Sequence, residues 1–190
     1  MNEEERVGAP ALAAVPNPVP PPQLAEIFRE HHAAVYRTAY RITGNPMDAE
    51  DVAQTVFLRL LRREEGHGLS DTPGAYLRQA AVRGALDVIR ARRSARANPL
   101  EESEPTLADD GTPSPEAKAV GRDLREQLRR ALTELPPRSA EVFSLRYLEG
   151  YDNREIARMT GLSRTGVAVS LHRSRHRLKG ILATLAGGAR

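Results

Sequence analysis

The sequence predicts an all-α protein in which a flexible acidic linker joins two small helical domains. Every strong periodic signal is helical, because apolar residues recur at intervals of three and four in segments bounded by proline or glycine. A stretch rich in acids and proline, residues 98–117, divides the chain. We therefore expect a disordered tail at 1–22, a first domain at 23–97, a second domain at 118–185 and a short tail at 186–190.

The first domain is expected to contain three helices. The apolar stripe of the first helix stops at Gly44, a residue type that commonly ends helices. Asn45 can cap the second helix, and Pro46 suits its first position. Residues 62–71 contain two glycines and are expected to form a flexible loop, after which Pro73 begins the third helix.

The second helix of this domain, DAEDVAQTVFLRLL at residues 48–61, has an apolar stripe and an acidic, amide-bearing face. The polar face consists of Asp48, Glu50, Asp51 and Gln54, all expected on exposed turns. Negative charge is favoured here by the helix dipole. This segment alone leaves two alternatives open, a solvated surface helix or an interaction site.

Composition excludes several classes of function. The 190 residues include no cysteine, which removes disulfides, thiolate zinc sites and cysteine nucleophiles. The apolar runs are too short to span a membrane and the start lacks a signal-peptide layout, so a soluble cytosolic protein is the default expectation. His31 and His32 are adjacent and point about 100° apart on a helix, while His172 and His176 lack a nearby acid or third ligand. We expect no metal, no cofactor and no enzymatic activity.

Charge is strongly segregated, although the net charge is only +3. Residues 72–98 contain six arginines and one acid, and residues 154–190 contain eight basic residues and one acid. The intervening residues 99–123 contain seven acids and two basic residues. This distribution predicts two polyanion-binding modules on one tether.

The second domain contains a predicted helix-turn-helix. It begins with an amphipathic helix whose stripe consists of Val120, Leu124, Leu128, Leu132 and Leu135. A short helix at about 140–148 follows, and Asp152-x-x-Glu155 is a capping-box pattern that opens another. Gly161 ends that helix and Ser163 can cap the next one. In this layout the second helix of the unit enters the major groove of DNA.

The predicted groove helix is basic. From Arg164 to Lys179 there are five full positive charges, two histidines and no acids, and phosphates would offset their mutual repulsion. Arg164 and Thr165 lie near the N-terminus of this helix, where side chains reach base edges. Arg173 and Arg175 lie further along and are expected to hold phosphates.

Specific motifs occur in both halves, in a fixed order. Those of the first half are DAEDVAQTVFLRLL, Tyr76-Leu77, Ala81, Ala85, Asp87 and Arg90. Those of the second half are Leu135-Pro136, Glu141-Val-Phe, Leu145-Arg-Tyr, Glu149-Gly150, Glu155-Ile-Ala and Leu171-His-Arg-Ser-Arg. Together they resemble the sigma-70 family of RNA polymerase sigma factors, specifically the extracytoplasmic-function (ECF) type that keeps conserved regions 2 and 4. The resemblance covers residues 24–182 apart from the linker.

The resemblance implies a factor that directs core RNA polymerase to promoters and melts them. The residues it assigns to polymerase binding are Asp48, Glu50, Asp51 and Gln54. Those it assigns to the minus-10 element are Arg78, Arg83, Asp87, Arg90, Arg92 and Arg93. Those it assigns to the minus-35 element, within a helix-turn-helix at 153–173, are Arg164, Thr165, His172, Arg173 and Arg175. The implied partners are the β′ clamp helices and the β subunit, promoter DNA as duplex and as melted non-template strand, and an anti-sigma factor.

The chain departs from the family pattern at two places. The family usually has Trp-Leu at Tyr76-Leu77 and Arg-Asn at Val82 and Arg83, which affects how bases near the melted element are held. Residues 166–170 of the recognition helix lack two expected basic residues. We therefore expect weaker or altered minus-35 recognition, in which Arg164, His172, Arg173 and Arg175 carry more of the binding.

A conventional helix-turn-helix regulator is the alternative function. It would bind duplex DNA as a dimer and would share the Glu-Ile-Ala and Gly-Leu-Ser pattern. It would need neither the acidic helix nor a second basic module.

Overall fold

The computed structural model describes residues 22–64, 73–97 and 115–187, and every regular element in these ranges is a helix. The helices are α1 (Pro22–Thr43), α2 (Pro46–Glu64), α3 (Pro73–Ala97), α4 (Pro115–Thr133), α5 (Pro137–Tyr147), α6 (Asn153–Thr160) and α7 (Arg164–Gly187). The predicted all-α class is confirmed. Most of the predicted tails, loop and linker lies outside the described residues.

Four helices extend into segments that were expected to lack regular structure: α1 by one residue, α7 by two, and α2 and α4 by three each. α2 continues to Glu64, because arginine and glutamate favour helices and the first glycine comes only at Gly66. α4 begins at Pro115, since proline suits the first turn of a helix. The expected burial of the α4 stripe is wrong at Leu124, which is 60% exposed, whereas Leu132 is 1% exposed. The second half of α4 is therefore the part that packs into the core.

α1, α2 and α3 pack into a three-helix bundle. Its core includes Val35, Ala39 and Ile42 of α1, Val52, Val56 and Leu60 of α2, and Leu77, Ala81 and Ala85 of α3. Gly44 ends α1 with φ +66°, a left-handed conformation that glycine adopts without steric cost, so α2 can fold back on α1. The predicted cap of α2 is confirmed, because Asn45 Oδ1 accepts hydrogen bonds from the backbone N–H groups of Met47 (2.9 Å) and Asp48 (3.1 Å).

Replacement of Asn45 by alanine is expected to lower the free energy of unfolding by about 1 kcal/mol. The substitution leaves two backbone donors of the first turn of α2 without their acceptor, at a position that is 8% exposed. Urea unfolding followed by circular dichroism measures the change. Asn45→Ser keeps a capping oxygen and should recover most of the loss; equal loss in both variants would contradict the capping role.

α4 to α7 form the second bundle, whose core includes Leu132, Leu145, Ile156, Val167, Leu171 and Leu178. The turn between α6 and α7 is set by Gly161, which ends α6 at φ +69° with its N–H bonded to the carbonyl of Ala157. The Ser163 Oγ then accepts the N–H of Gly166 at 3.0 Å, which confirms the predicted cap of α7.

The two bundles pack directly against each other. α3 contacts α4, α5 and α6, so its face away from the first core is partly covered by the second bundle. The charge pattern of the sequence predicted two modules on a tether and contained no indication of this contact.

Candidate nucleic-acid and protein interfaces

The acidic face of α2 is divided between exposed and covered side chains. Asp51 and Gln54 are exposed, as predicted. The Glu50 side chain is 46% exposed, and its Oε1 lies 3.8 Å from His32 Nε2 of α1. These three residues leave an acidic, amide-bearing surface in the middle of the helix.

Asp48 does not belong to this surface, so its expected exposure is wrong. Its side chain is 13% exposed, and Oδ1 accepts a 2.8 Å hydrogen bond from Arg92 Nη2 of α3. The Oδ2 atom is buried and has no hydrogen-bond partner among the described residues. Burial raises the pKa of Asp48; the Arg92 guanidinium opposes this rise and the nearby Asp51 carboxylate adds to it. Asp48 therefore joins α2 to α3.

The raised pKa gives Asp48 a defined pH signature. The Asp48 carboxyl group binds its proton more tightly in the folded chain than in the unfolded chain. Asp48 therefore stabilises the fold most below its unfolded pKa of 3.8. That contribution is lost as pH rises through the higher folded value. Asp48→Asn, which cannot ionise, should remove this decline from the free energy of unfolding measured against pH by urea titration. A variant whose pH profile matches that of the unsubstituted chain would contradict the assignment.

Five arginines of α3 have partners within the chain: Arg78, Arg83, Arg90, Arg92 and Arg93. Within the first bundle, Arg92 binds Asp48, and Arg90 Nη1 lies 3.6 Å from Asp87 Oδ1, whose side chain is 79% exposed. The Arg90 Nη2 atom is buried without a hydrogen-bond partner among the described residues. The predicted minus-10 residues Arg90, Arg92 and Asp87 thus lie along one end of α3.

Three further α3 arginines contact the second bundle. Arg78 Nη1 donates to the Tyr151 hydroxyl at 3.1 Å, and this hydrogen bond raises the pKa of Arg78. Arg83 Nε donates to Glu141 Oε1 at 2.8 Å. Arg93 forms an ion pair with Glu134 and donates to Thr133 Oγ1 at 2.7 Å. The structure therefore places half of the predicted minus-10 set against α4, α5 and the residues before α6.

The helix-turn-helix consists of α6 and the start of α7. Asp152 Oδ1 accepts the N–H groups of Arg154 (2.7 Å) and Glu155 (2.8 Å), and Glu155 Oε2 accepts the N–H of Asp152 (2.7 Å). The predicted capping box is confirmed. The hydrogen bond from the Glu155 backbone is the main reason why the pKa of Asp152 lies below its usual value. This reciprocal cap fixes the start of α6.

α7 buries one edge and exposes its cations. Val167, Leu171, Ser174 and Leu178 are buried, at the three- and four-residue spacing of a single helix face. The exposed side includes Arg164, Thr165, His172, Arg173 and Arg175, the predicted minus-35 residues. None of these five side chains forms an ion pair or hydrogen bond with another part of the chain that the structure describes. They are available to an external polyanion.

Comparison with known proteins decides the family. The profile described as "Sigma-70 region 2" matches residues 27–95, and the profile described as "Sigma-70, region 4" matches residues 125–178. The chain is 32% identical over 181 residues to the ECF RNA polymerase sigma factor SigE of Mycolicibacterium smegmatis. These aligned residues cover 95% of this chain and 69% of that protein. The chain belongs to the sigma-70 family.

Other relatives place this sigma factor in the same group. It is 30% identical over 162 residues to the RNA polymerase sigma-E factor of Streptomyces antibioticus, covering 85% of this chain and 86% of that protein. The region 2 match lies on α1 to α3, and the region 4 match runs from α4 into α7. The chain is an ECF sigma factor, which binds core RNA polymerase, directs it to promoters with minus-10 and minus-35 elements and promotes their melting. A conventional dimeric regulator is not favoured. A function that rests on the helix-turn-helix alone would leave the match of residues 27–95 to region 2 unexplained.

Two solved structures share the fold of this sigma factor. CnrH in complex with the cytosolic domain of CnrY is 20% identical, with a TM-score of 0.54 over 85% of this chain and 88% of that one. The sigma factor RpoE in complex with the anti-sigma factor NepR from Bartonella quintana is 16% identical, with a TM-score of 0.53 over 85% of this chain and 97% of that one.

The sequence did not identify the polar residues at the contact between region 2 and region 4 of this sigma factor. Glu141 is 5% exposed, and the Glu149 side chain is also 5% exposed. Both appeared only as parts of family motifs, and no periodic or charge signal identified their partners, which are far away in the sequence.

The described part of the sigma factor lacks two other features. It contains no group of three or more histidine, aspartate or glutamate residues arranged to hold a metal ion. No helix within it is both long enough and apolar enough to cross a membrane.

Proposed function

We propose that the exposed face of α2 formed by Glu50, Asp51 and Gln54 docks on the clamp helices of the β′ subunit of RNA polymerase. The observation that supports this role is the exposure of Asp51 and Gln54 on a helix whose opposite side is buried. A rigid, solvent-exposed acidic face suits binding to a protein partner. Asp48 acts behind this face by holding the first turn of α2 against Arg92.

The face of α3 is proposed to hold the melted minus-10 strand. Arg78, Arg83, Arg90, Arg92 and Arg93 supply positive charge, and Asp87 supplies an exposed acceptor on the same helix. Cationic grooves of this kind follow the phosphate backbone while bases are held separately. Flipping bases out of the duplex costs roughly a few kcal/mol per base, which polymerase and strand contacts together would offset.

The exposed face of α7 is proposed to bind the minus-35 duplex. Arg164 and Thr165 lie in its first turn, where side chains reach base edges, and His172, Arg173 and Arg175 lie further along, nearer to phosphates. Ala168, exposed, and Val169, 42% exposed, occupy the middle of that face and offer apolar contact only. Weaker or altered minus-35 recognition follows from this arrangement.

Arg173→Ala is expected to weaken duplex binding about equally at all sequences and to reduce the salt slope by about 1. Arg173 is exposed, and its side chain forms no hydrogen bond or ion pair with other described residues, so the fold should be unaffected. Fluorescence anisotropy with promoter and unrelated duplexes at several salt concentrations measures both effects. A loss confined to one sequence would instead make Arg173 a base-contacting residue.

Partners and location complete the proposal. The solved neighbours are complexes, one of them named as a sigma factor with an anti-sigma factor, and this supports an anti-sigma partner for the present chain. We place the protein in the bacterial cytoplasm with RNA polymerase and assign it no catalytic activity and no cofactor. Co-purification from the native cell tests for both partners.

Run-off transcription tests the function as a whole. Core polymerase alone and core polymerase with this protein are compared on a pool of genomic promoters from the native cell. Specific transcripts that require the protein are expected. Their absence from every promoter would exclude the proposed promoter-directing role.

A further inference from the structure

An uncharged patch lies on the exposed face of α7 and is formed by Thr165, Ala168 and Val169. Val169 is 42% exposed and does not belong to the hydrophobic core. At about 100° per residue, it lies about 140–180° around the helix from the buried residues of α7, which are Val167, Leu171, Ser174 and Leu178. The Val169 side chain therefore lies on the side of α7 opposite to the core of the second bundle.

Arginines lie on both sides of the uncharged patch, and all of them are exposed. Arg173 and Arg177 lie about 40° and 80° around the helix to one side of Val169. Arg164 and Arg175 lie about 140° and 120° to its other side. A helix in the major groove has a phosphate backbone on each side and base edges in front of it. The order of charges around α7 matches this environment and places Val169 opposite the base edges.

The valine side chain limits which base can lie opposite it. Its isopropyl group has no hydrogen-bond donor or acceptor, so a polar base edge that it covers loses water without gaining a partner. The C5 methyl group of thymine is the only methyl group that the four bases present in the major groove. Contact with Val169 therefore favours thymine over cytosine, adenine and guanine.

Local helix stability does not explain a valine at this position. Valine is a weaker helix former than alanine, because its branched side chain loses rotamer freedom in a helix. Isolated exposed apolar residues are common on protein surfaces. Val169 is not isolated, since Ala168 and the methyl group of Thr165 extend the same apolar surface between the arginines.

We propose that Val169 is a specificity-determining residue that recognises a thymine of the minus-35 duplex by contact with its C5 methyl group. This role rests on the proposed binding of that duplex by α7. Val169 selects a base, whereas Arg173 binds phosphate and contributes affinity at every sequence. Burial of one methyl group corresponds to about a fourfold gain in affinity.

Selection from a randomised duplex tests the base preference. Core polymerase is reconstituted with the full chain and mixed with a promoter found by run-off transcription, in which about eight base pairs at the minus-35 element are randomised. Sequencing of the retained duplexes should show one position with a preferred T·A pair. Val169→Ser should lose the preference at that position and keep those at other positions. Val169→Ile, which keeps an apolar side chain, should retain all of them.

Deoxyuridine tests the contact with the methyl group directly. It replaces the selected thymine, removes only the methyl group and leaves base pairing unchanged. In competition binding to the polymerase with the parent chain, the deoxyuridine duplex should bind about fourfold more weakly than the thymine duplex. With Val169→Ser the two duplexes should bind equally.

Leu124→Ser is the matched control for Val169→Ser. Leu124 is 60% exposed on α4, so the substitution also replaces an exposed apolar side chain by serine, but outside the face proposed to bind DNA. It should keep the full difference between the thymine and deoxyuridine duplexes. Circular dichroism should show equal helix content in both variants and the parent, because both positions are exposed.

Three results would overturn the role of Val169. The first is equal binding of the two duplexes by the parent chain, a result that does not depend on the folding of any variant. The second is a thymine preference that survives Val169→Ser. The third is weaker capture of core polymerase by Val169→Ser with an unchanged ratio between the two duplexes, which would place Val169 on a protein interface.

The selection also separates this role from the proposed function. Absence of a preferred base at every randomised position would reject the proposed binding of the minus-35 duplex by α7. Preferred bases without a thymine whose methyl group contributes to affinity would reject the role of Val169 alone.

Discussion

Asp51→Arg is expected to abolish capture of core RNA polymerase, with affinity at least about 100-fold lower, or about 3 kcal/mol. Asp51 is exposed on α2, so the substitution changes the presented surface and not the core. On a docking face that selects for negative charge, the substitution adds repulsion to the loss of an attractive contact. A pull-down of core polymerase at several salt concentrations measures the effect.

Glu30→Arg is the control for this substitution. Glu30 lies on α1, its side chain is 69% exposed, and its nearest ionic neighbour is His31 at 3.8 Å, so the same charge change falls on the same bundle outside the proposed face. Capture by Glu30→Arg should equal that of the unsubstituted chain. Retained capture by Asp51→Arg, or equal loss in both variants, would remove α2 as the specific docking element.

Ile156→Ala is expected to lower the free energy of unfolding by about 3 kcal/mol and to eliminate duplex binding by region 4. Ile156 is fully buried in α6 and is among the largest enclosed side chains of the described residues. Its truncation leaves a cavity in the second bundle, in which α6 packs on α7. Thermal unfolding by circular dichroism and duplex binding by anisotropy are the two measurements.

A graded series separates cavity formation from a general effect of mutating α6. Ile156→Val should cost only about 1 kcal/mol, because it removes one methyl group. Arg158→Ala, at an exposed position of the same helix, should leave thermal stability nearly unchanged. An Ile156→Ala protein as stable as the Arg158→Ala protein would show that α6 is not held by its buried face.

The sequence was sufficient for features that depend on neighbouring residues. The caps at Asn45, Asp152 and Ser163 and the turn at Gly161 depend on residue types within a few positions of one another, and all were predicted correctly. The apolar stripes identified the buried faces for the same reason, since helix periodicity is local. The exposed α7 cations also followed from one helix face.

Features that depend on distant partners were not predictable. Asp48 has the same local pattern as Asp51, and only its position beside Arg92 of α3 makes it a covered side chain. The sequence did not indicate that Arg83 and Arg93 of α3 are paired, because charge counts carry no information about Glu141 or Glu134. Leu124 continues an apolar stripe beyond the part of α4 that meets the core, and periodicity alone does not show where a packing partner ends.

The continuity of α7 couples the position of its first turn to the packing of its later turns. Its 24 residues form one rod about 36 Å long, anchored by Val167, Leu171 and Leu178, with Arg164 exposed at its N-terminal end. Arg164 lies about 21 Å along the helix from Leu178, so a tilt of about 10° about Leu178 would move Arg164 by about 4 Å, roughly one base-pair step. Core packing around Leu178 therefore sets the orientation of α7, and this orientation determines which base pairs the first turn can reach.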